Sequence, residues 1–252
     1  MQTMTLNPTA DPAVTLTCYL HGQSPEMPNT NLRPAVLVLP GGGYQSCSDR
    51  EAEPVALAYM AEGYNTFVLR YTVGGGADFP RPLQDAEAAM DSILAHAAEW
   101  HTDTERIAVI GFSAGGHLAA ALGTMGRVRP AALVLCYPCI LDSMAAVLGR
   151  DIPSLEKHVD AQTPPAFLFA TSADELVPVQ NTLAFAGALA EQGIPFETHI
   201  YRQGRHGLSL AKPLTCSGYS SMTDARAAGW FPLSMDWLHG LWGDFPAEGV
   251  LA

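Results

Sequence analysis

The chain has 252 residues, of which 48% are hydrophobic and 15% charged, and its formal net charge is -12 at pH 7. Those values fit a globular protein with a large core, read as one α/β domain over residues 1–252 with a strand or arm over about the first 30. The negative field, with no Lys/Arg cluster, argues against a nucleic-acid partner.

The first twenty residues, MQTMTLNPTADPAVTLTCYL, hold neither a basic start nor a long apolar stretch, so a cytoplasmic location is expected. Apolar runs then recur at residues 14–20, 35–39, 66–71, 107–111, 131–137, 165–171 and 196–201. They have the length of strands and are far too short to cross a membrane. Several, such as AVLVLP and AALVLCY, are continuously apolar, as strands covered on both faces of a parallel sheet should be. Helical patterns separate them at about 53–62, 83–99, 115–125, 179–191 and 224–241. This alternation predicts a mostly parallel central sheet with helices on both faces. Ligands of such sheets bind beyond the carboxyl ends of the strands.

The chemistry-bearing residues fall at those ends. Gly111-Phe-Ser113-Ala-Gly115 matches G-x-S-x-G between a strand and a helix, a sharp turn that projects a serine hydroxyl out of the sheet. A phosphate loop would need G-x-x-x-x-G-K-[ST] or G-x-G-x-x-G, and neither is present. A serine hydroxyl needs a base, and the base an orienting carboxylate. Asp174 follows the strand PAFLFAT, with Glu175 as the competing carboxylate. His206 follows the strand FETHIY between Gly204 and Gly207. The order Ser, Asp, His is the one an α/β-hydrolase uses. His117, four residues past Ser113, is expected to pack below the turn. Pro40-Gly41-Gly42-Gly43-Tyr44 follows another strand, where glycines let backbone N–H groups approach a substrate oxyanion.

Other features are less decisive. Tyr44, Tyr71 and Tyr137 lie at or just beyond strand ends, where they either line a pocket and stack on sugar rings or pack in the core. Arg50 and Glu51 are read as an ion pair at a helix start, with substrate contact as the alternative. Five cysteines, an odd number, point to reduced thiols. Cys136-Tyr-Pro-Cys139 has redox spacing but follows a buried strand directly, which makes a redox protein the weaker reading.

Four segments together carry a resemblance: residues 40–71 (PGGGYQSCSDREAEPVALAYMAEGYNTFVLRY), 111–120 (GFSAGGHLAA), 171–185 (TSADELVPVQNTLAF) and 205–211 (RHGLSLA). From about residue 35 to 241 the chain resembles the α/β-hydrolase superfamily, and within it the bacterial acetyl esterase and acetyl-xylan esterase branch of carbohydrate esterases. The resemblance implies Ser113 as nucleophile, Asp174 as orienting acid and His206 as base, with oxyanion donors among Gly42, Gly43 and Ala114. Relatives often have histidine where Pro40 stands, which leaves open which of Gly41–Gly43 donates. The implied substrate is a small acyl ester, acetylated xylo-oligosaccharides first, with no metal or organic cofactor. A general or feruloyl esterase, a peptidase or amidase, and a non-catalytic binding protein are the alternatives on the same fold.

Overall fold

Side chains along a strand point alternately to the two faces of its sheet, and here that alternation sorts the apolar residues into two cores. In a computed structural model describing residues 1–247, eight strands form one sheet in the order β1-β2-β4-β3-β5-β6-β7-β8. They are β1 Gln2–Leu6, β2 Thr15–Leu20, β3 Arg33–Leu39, β4 Asn65–Arg70, β5 Thr102–Phe112, β6 Ala132–Cys136, β7 Ala166–Thr171 and β8 Phe196–Tyr201. β1–β2 and β2–β4 are antiparallel, and every other pairing is parallel. Six helices accompany them: α1 Glu53–Ala61, α2 Arg81–Ala95, α3 Ala114–Met125, the short α4 Ala145–Leu148, α5 Gln180–Glu191 and α6 Trp230–Trp242.

One core takes Leu37, Val109, Leu135 and Leu168 from the sheet, with Leu118 of α3, Met90 of α2 and Phe185 of α5. The other takes Val38, Ile110, Val134 and Phe167, with Tyr59 of α1 and Trp230 and Met235 of α6. Helices thus cover both faces, as the alternation of apolar runs predicted. None of the helices among the described residues is long and apolar enough to cross a membrane.

The boundaries differ where polar residues or turns intervene. β1 pairs only with β2 and supplies an edge strand where the sequence suggested a strand or arm. β5 begins at Thr102 because the polar stretch TDTER extends the ladder alongside Arg33. The helix expected from residue 224 begins at Trp230. Asp224 instead accepts the N–H groups of Arg226 and Ala227 and shapes a turn before it.

The connections after β3 and β5 leave in opposite directions, β3 to its neighbour β4 and β5 to its neighbour β6. Where connections diverge like this, a crevice opens beyond the carboxyl ends of the two strands. Gly41–Gly43 follow β3 and Ser113 follows β5, so both flank that crevice.

Leu168 is fully buried on β7, whereas Leu183 is exposed on α5. Leu168→Ala is expected to lower unfolding free energy by about 2–5 kcal/mol through lost burial and a residual cavity, and Leu183→Ala by less than about 0.5 kcal/mol. Urea unfolding midpoints of the two variants check this.

Candidate active site

Ser113 takes φ 54° and ψ −116° between β5 and α3. Such a backbone costs a non-glycine residue roughly 1–3 kcal/mol and persists only where its surroundings hold it. Its N–H donates to Cys136 O, and its carbonyl accepts from the N–H groups of His117 and Cys139, each at 3.0 Å. The flanking glycines let the segments close around it. A Cβ on Gly111 would strike the Gly115 carbonyl, and one on Gly115 the carbonyls of Leu39 and Pro40.

Three side chains from three strand ends meet at this turn. Ser113 Oγ lies 2.8 Å from His206 Nε2, and His206 Nδ1 lies 2.7 Å from Asp174 Oδ2. A carboxylate only accepts, so Nδ1 carries the proton and Nε2 is left to accept the serine O–H. Asp174 Oδ1 accepts the N–H groups of Leu176 and Val177, both at 2.9 Å, which fixes the carboxylate's orientation. The Asp174 side chain is buried, while the His206 ring retains an opening to solvent. Geometrically this is a base set to take a hydroxyl proton, with a buried anion behind it to stabilise the imidazolium.

A cavity of about 430 Å³ holds Ser113, His206, Gly42, Gly43, Cys139, Leu148 and Val177. The Gly41 N–H is engaged, donating to Glu51 Oε2 at 2.9 Å. Among the described residues, the N–H groups of Gly42, Gly43 and Ala114 have no protein acceptor. Gly42 and Gly43 sit at φ 129° and 64°, which glycine tolerates best. Three donors are therefore available beside the serine, and Gly41 is not one of them.

The three tyrosines do not line this cavity. Tyr44, Tyr71 and Tyr137 are only 1%, 2% and 2% exposed, so the packing alternative is the one the fold adopts. Each hydroxyl has an internal partner that draws it inward. Tyr71 donates to Pro40 O at 2.5 Å and steadies the glycine loop. Tyr137 donates to Glu51 Oε1 at 2.7 Å and accepts the Ser209 N–H at 2.8 Å. Tyr44 donates to His117 Nδ1 at 2.8 Å. Burial raises the pKa of all three hydroxyls, which keeps them neutral donors.

Arg50 and Glu51 make no ion pair with each other among the described residues. Arg50 donates to the carbonyls of Gly207 and Thr215, at 2.7 and 3.1 Å. Glu51, 3% exposed, joins the glycine loop to Tyr137 and through it to the segment after His206. This brace spans contacts far apart in the chain, so no local pattern reveals it. Cys136 and Cys139 pack in opposite cores, and burial pushes the Cys139 thiol up to about 12 and raises the Cys136 thiol well above its ordinary value. A redox thiol needs the opposite shift.

His117 packs below the turn as expected. Its Nε2 donates to Pro153 O at 3.1 Å, so Nδ1 accepts from Tyr44, and burial pushes its pKa from 6.5 down to about 4. Between about pH 6.5 and about 4 the unfolded chain therefore holds a proton that the folded chain lacks, and stability falls as pH falls. Ring-nitrogen NMR at about pH 5 should find His117 as the neutral Nε2–H tautomer. Glu51→Gln should lower kcat by about tenfold or more, since one end of the brace becomes a donor facing a donor and the free N–H groups beside Ser113 lose their aim. Steady-state kinetics checks this.

Residues 23–133 match the BD-FAE family and residues 150–219 the prolyl oligopeptidase family. Among solved structures, an alpha/beta hydrolase enzyme from a Medee basin deep-sea metagenome library is 46% identical. It superposes with a TM-score of 0.92 over 96% of this chain and 98% of that one. An acetyl ester-xyloside bifunctional hydrolase from Caldicellulosiruptor lactoaceticus is 35% identical, with a TM-score of 0.80 over 95% of this chain and 92% of that one. An acetylxylan esterase from Xylanibacter ruminicola is 30% identical over 228 residues, covering 82% of this chain and 46% of that protein. The chain spans less than half the length of the first curated relatives it matches. With a parallel sheet, helices on both faces, a strained serine turn and this near-complete correspondence, the chain belongs to the α/β-hydrolase family.

Proposed function

We propose that the protein is a serine carboxylesterase that removes small acyl groups, acetyl above all, from xylo-oligosaccharides or related sugars. The observation that carries the reading is the continuous Ser113–His206–Asp174 hydrogen-bond chain, at 2.8 and 2.7 Å. The acetylxylan esterase and acetyl ester-xyloside hydrolase relatives support the choice of acyl group and sugar.

In this reading Ser113 Oγ attacks the ester carbonyl while His206 Nε2 takes its proton. Asp174 holds the Nδ1–H tautomer and stabilises the imidazolium. The N–H groups of Gly42, Gly43 and Ala114 take the oxyanion, helped by the positive end of α3. His206 then returns the proton to the departing alcohol oxygen, leaving an acyl-serine. Water, deprotonated by the same base, attacks that ester, and the imidazolium returns the proton to Ser113 Oγ as the acid leaves. Side chains, backbone and water complete the cycle. Cys139 Sγ lies 4.0 Å from Ser113 Oγ and narrows the space beside it, which supports a short acyl chain.

The prolyl oligopeptidase match over residues 150–219 favours a second reading, amide cleavage by the same residues. Parallel assays on acetylated xylo-oligosaccharides and aminoacyl anilides separate the two. Mass spectrometry should record loss of acetyl groups from the oligosaccharide, with the anilide untouched. Ser113→Ala should lower kcat/KM by about 10³-fold or more and abolish labelling by a fluorophosphonate probe. Near-wild-type turnover in that variant would sink the proposal.

A further inference from the structure

Two cavities meet at the catalytic base. The serine cavity of about 430 Å³ shares only His206 and Leu176 with a second of about 630 Å³. Glu175, Arg205, Tyr219 and Ser221 also line the second. We propose that this second cavity is the leaving-group subsite and that Tyr219 is its platform for a pyranose ring of the departing sugar. The inference rests on the esterase reading above and names where the alcohol half of the substrate binds.

The chemistry assigns the side. The acyl carbon must sit over Ser113 Oγ, with its oxygen toward the free N–H groups of the glycine loop. The leaving oxygen must come within about 2.6–3.2 Å of His206 Nε2 to receive its proton. The alcohol therefore projects past His206, and the space bordering His206 away from Ser113 is the larger cavity. Its volume lies within the range of about 300–1,000 Å³ typical of small-molecule sites.

The lining assigns the ligand class. Tyr219 is 67% exposed, although it is one of the largest apolar bodies in the chain. It is presented by a tight turn in which the Tyr219 N–H donates to Cys216 O at 2.9 Å. Both central residues are left-handed, Ser217 at φ 53° and Gly218 at φ 81°. For the serine this conformation is uncommon and unfavourable. An exposed ring held by a strained turn at the mouth of a catalytic cavity is placed to be covered by a ligand.

Opposite charges accompany the ring. Glu175 and Arg205 line the same cavity, and neither has a hydrogen-bond or ion-pair partner among the described residues. They adjoin Asp174 and His206 in sequence, so the loops that hold the acid and base also supply this wall. A pyranose offers an apolar C–H face to an aromatic ring and hydroxyls to an acceptor and a donor around it. An alkyl alcohol would desolvate Glu175 and Arg205 without replacing their hydrogen bonds to water.

The test compares two acetyl esters that share an acyl-enzyme and differ only in the alcohol, an acetylated xylo-oligosaccharide and ethyl acetate. The readout is the ratio of their kcat/KM values, which does not depend on the fraction of enzyme folded. Tyr219→Ala is expected to lower the ratio about tenfold, chiefly through KM for the sugar ester, the size expected for a lost aromatic contact. Tyr219→Phe, which keeps the ring, is expected to hold it within about threefold. An unchanged ratio in Tyr219→Ala, with wild type active on the sugar ester, overturns the subsite and leaves the esterase reading standing. Wild type that hydrolyses ethyl acetate and ignores the sugar ester overturns the sugar substrate and the subsite together.

Discussion

The closest constraint in the molecule is the fit of α3 against the ends of β3 and β5. Gly115 lies so near the Leu39 and Pro40 carbonyls that no side chain fits, and Gly111 lies equally near the Gly115 carbonyl. This approach brings the chain leaving β3 beside the serine that follows β5. A Cβ on Gly41 would lie 3.1 Å from Ser113 Cβ and 2.7 Å from Phe112 O. Ser113 and the glycine-loop N–H groups are neighbours because helix and strand touch backbone to backbone. A methyl group at Gly115 would push them apart, and a misplacement of about 1 Å at a reacting centre can cost about a hundredfold in rate.

Contact alone does not aim the groups, and a buried polar layer does that. Glu51 holds Gly41 on one side and Tyr137 on the other, and Tyr137 in turn holds Ser209, three residues past His206. Ser209 Oγ donates to Arg50 O at 2.5 Å, and Trp230 Nε1–H donates to Ser209 O at 2.9 Å. Tyr71 fixes the Pro40 carbonyl, and Tyr44 ties the same loop to His117 on α3. Each polar atom in this layer is paired, so its burial costs little net free energy, while loss of one partner would strand the other. Proline at position 40 is compatible with this arrangement, because the loop is held through the Pro40 carbonyl and the Gly41 N–H.

Much of the fold is legible in the sequence because seven of the eight strands coincide with apolar runs, and β3, β6 and β7, buried along their whole length, read as nearly unbroken ones. β1 is not, since QTMTL is a half-exposed edge. The meeting of Ser113, Asp174 and His206 is legible because a hydroxyl, a carboxylate and an imidazole each follow a strand of the same parallel sheet. The tyrosines were the harder case. A tyrosine at a strand end points to a pocket or to a partner, and only the three-dimensional position of Pro40, His117 and Glu51 decides between them. The assignment of Gly41 as a structural donor was hidden for the same reason. Its acceptor lies ten residues away on a separate turn.

The positive-φ residues other than glycine follow the same logic. Tyr44, Ser113, Tyr137, Ser209, Ala211 and Ser217 all lie in segments that follow strands β3, β5, β6 or β8 on the site side of the sheet, whereas His101 lies before β5. Strained residues of this kind cost on the order of 1 kcal/mol or more each. The two cores beneath them contain dozens of buried apolar side chains, of which each fully buried Val, Leu, Ile, Phe or Met contributes about 1.5–3 kcal/mol. That reserve lets the strand ends keep geometries that a free loop would relax. The sheet is regular where it packs and irregular where it ends, and the hydroxyl, imidazole and carboxylate come together in the irregular part. Holding them there before substrate arrives removes the reorganisation that the same groups would need in water.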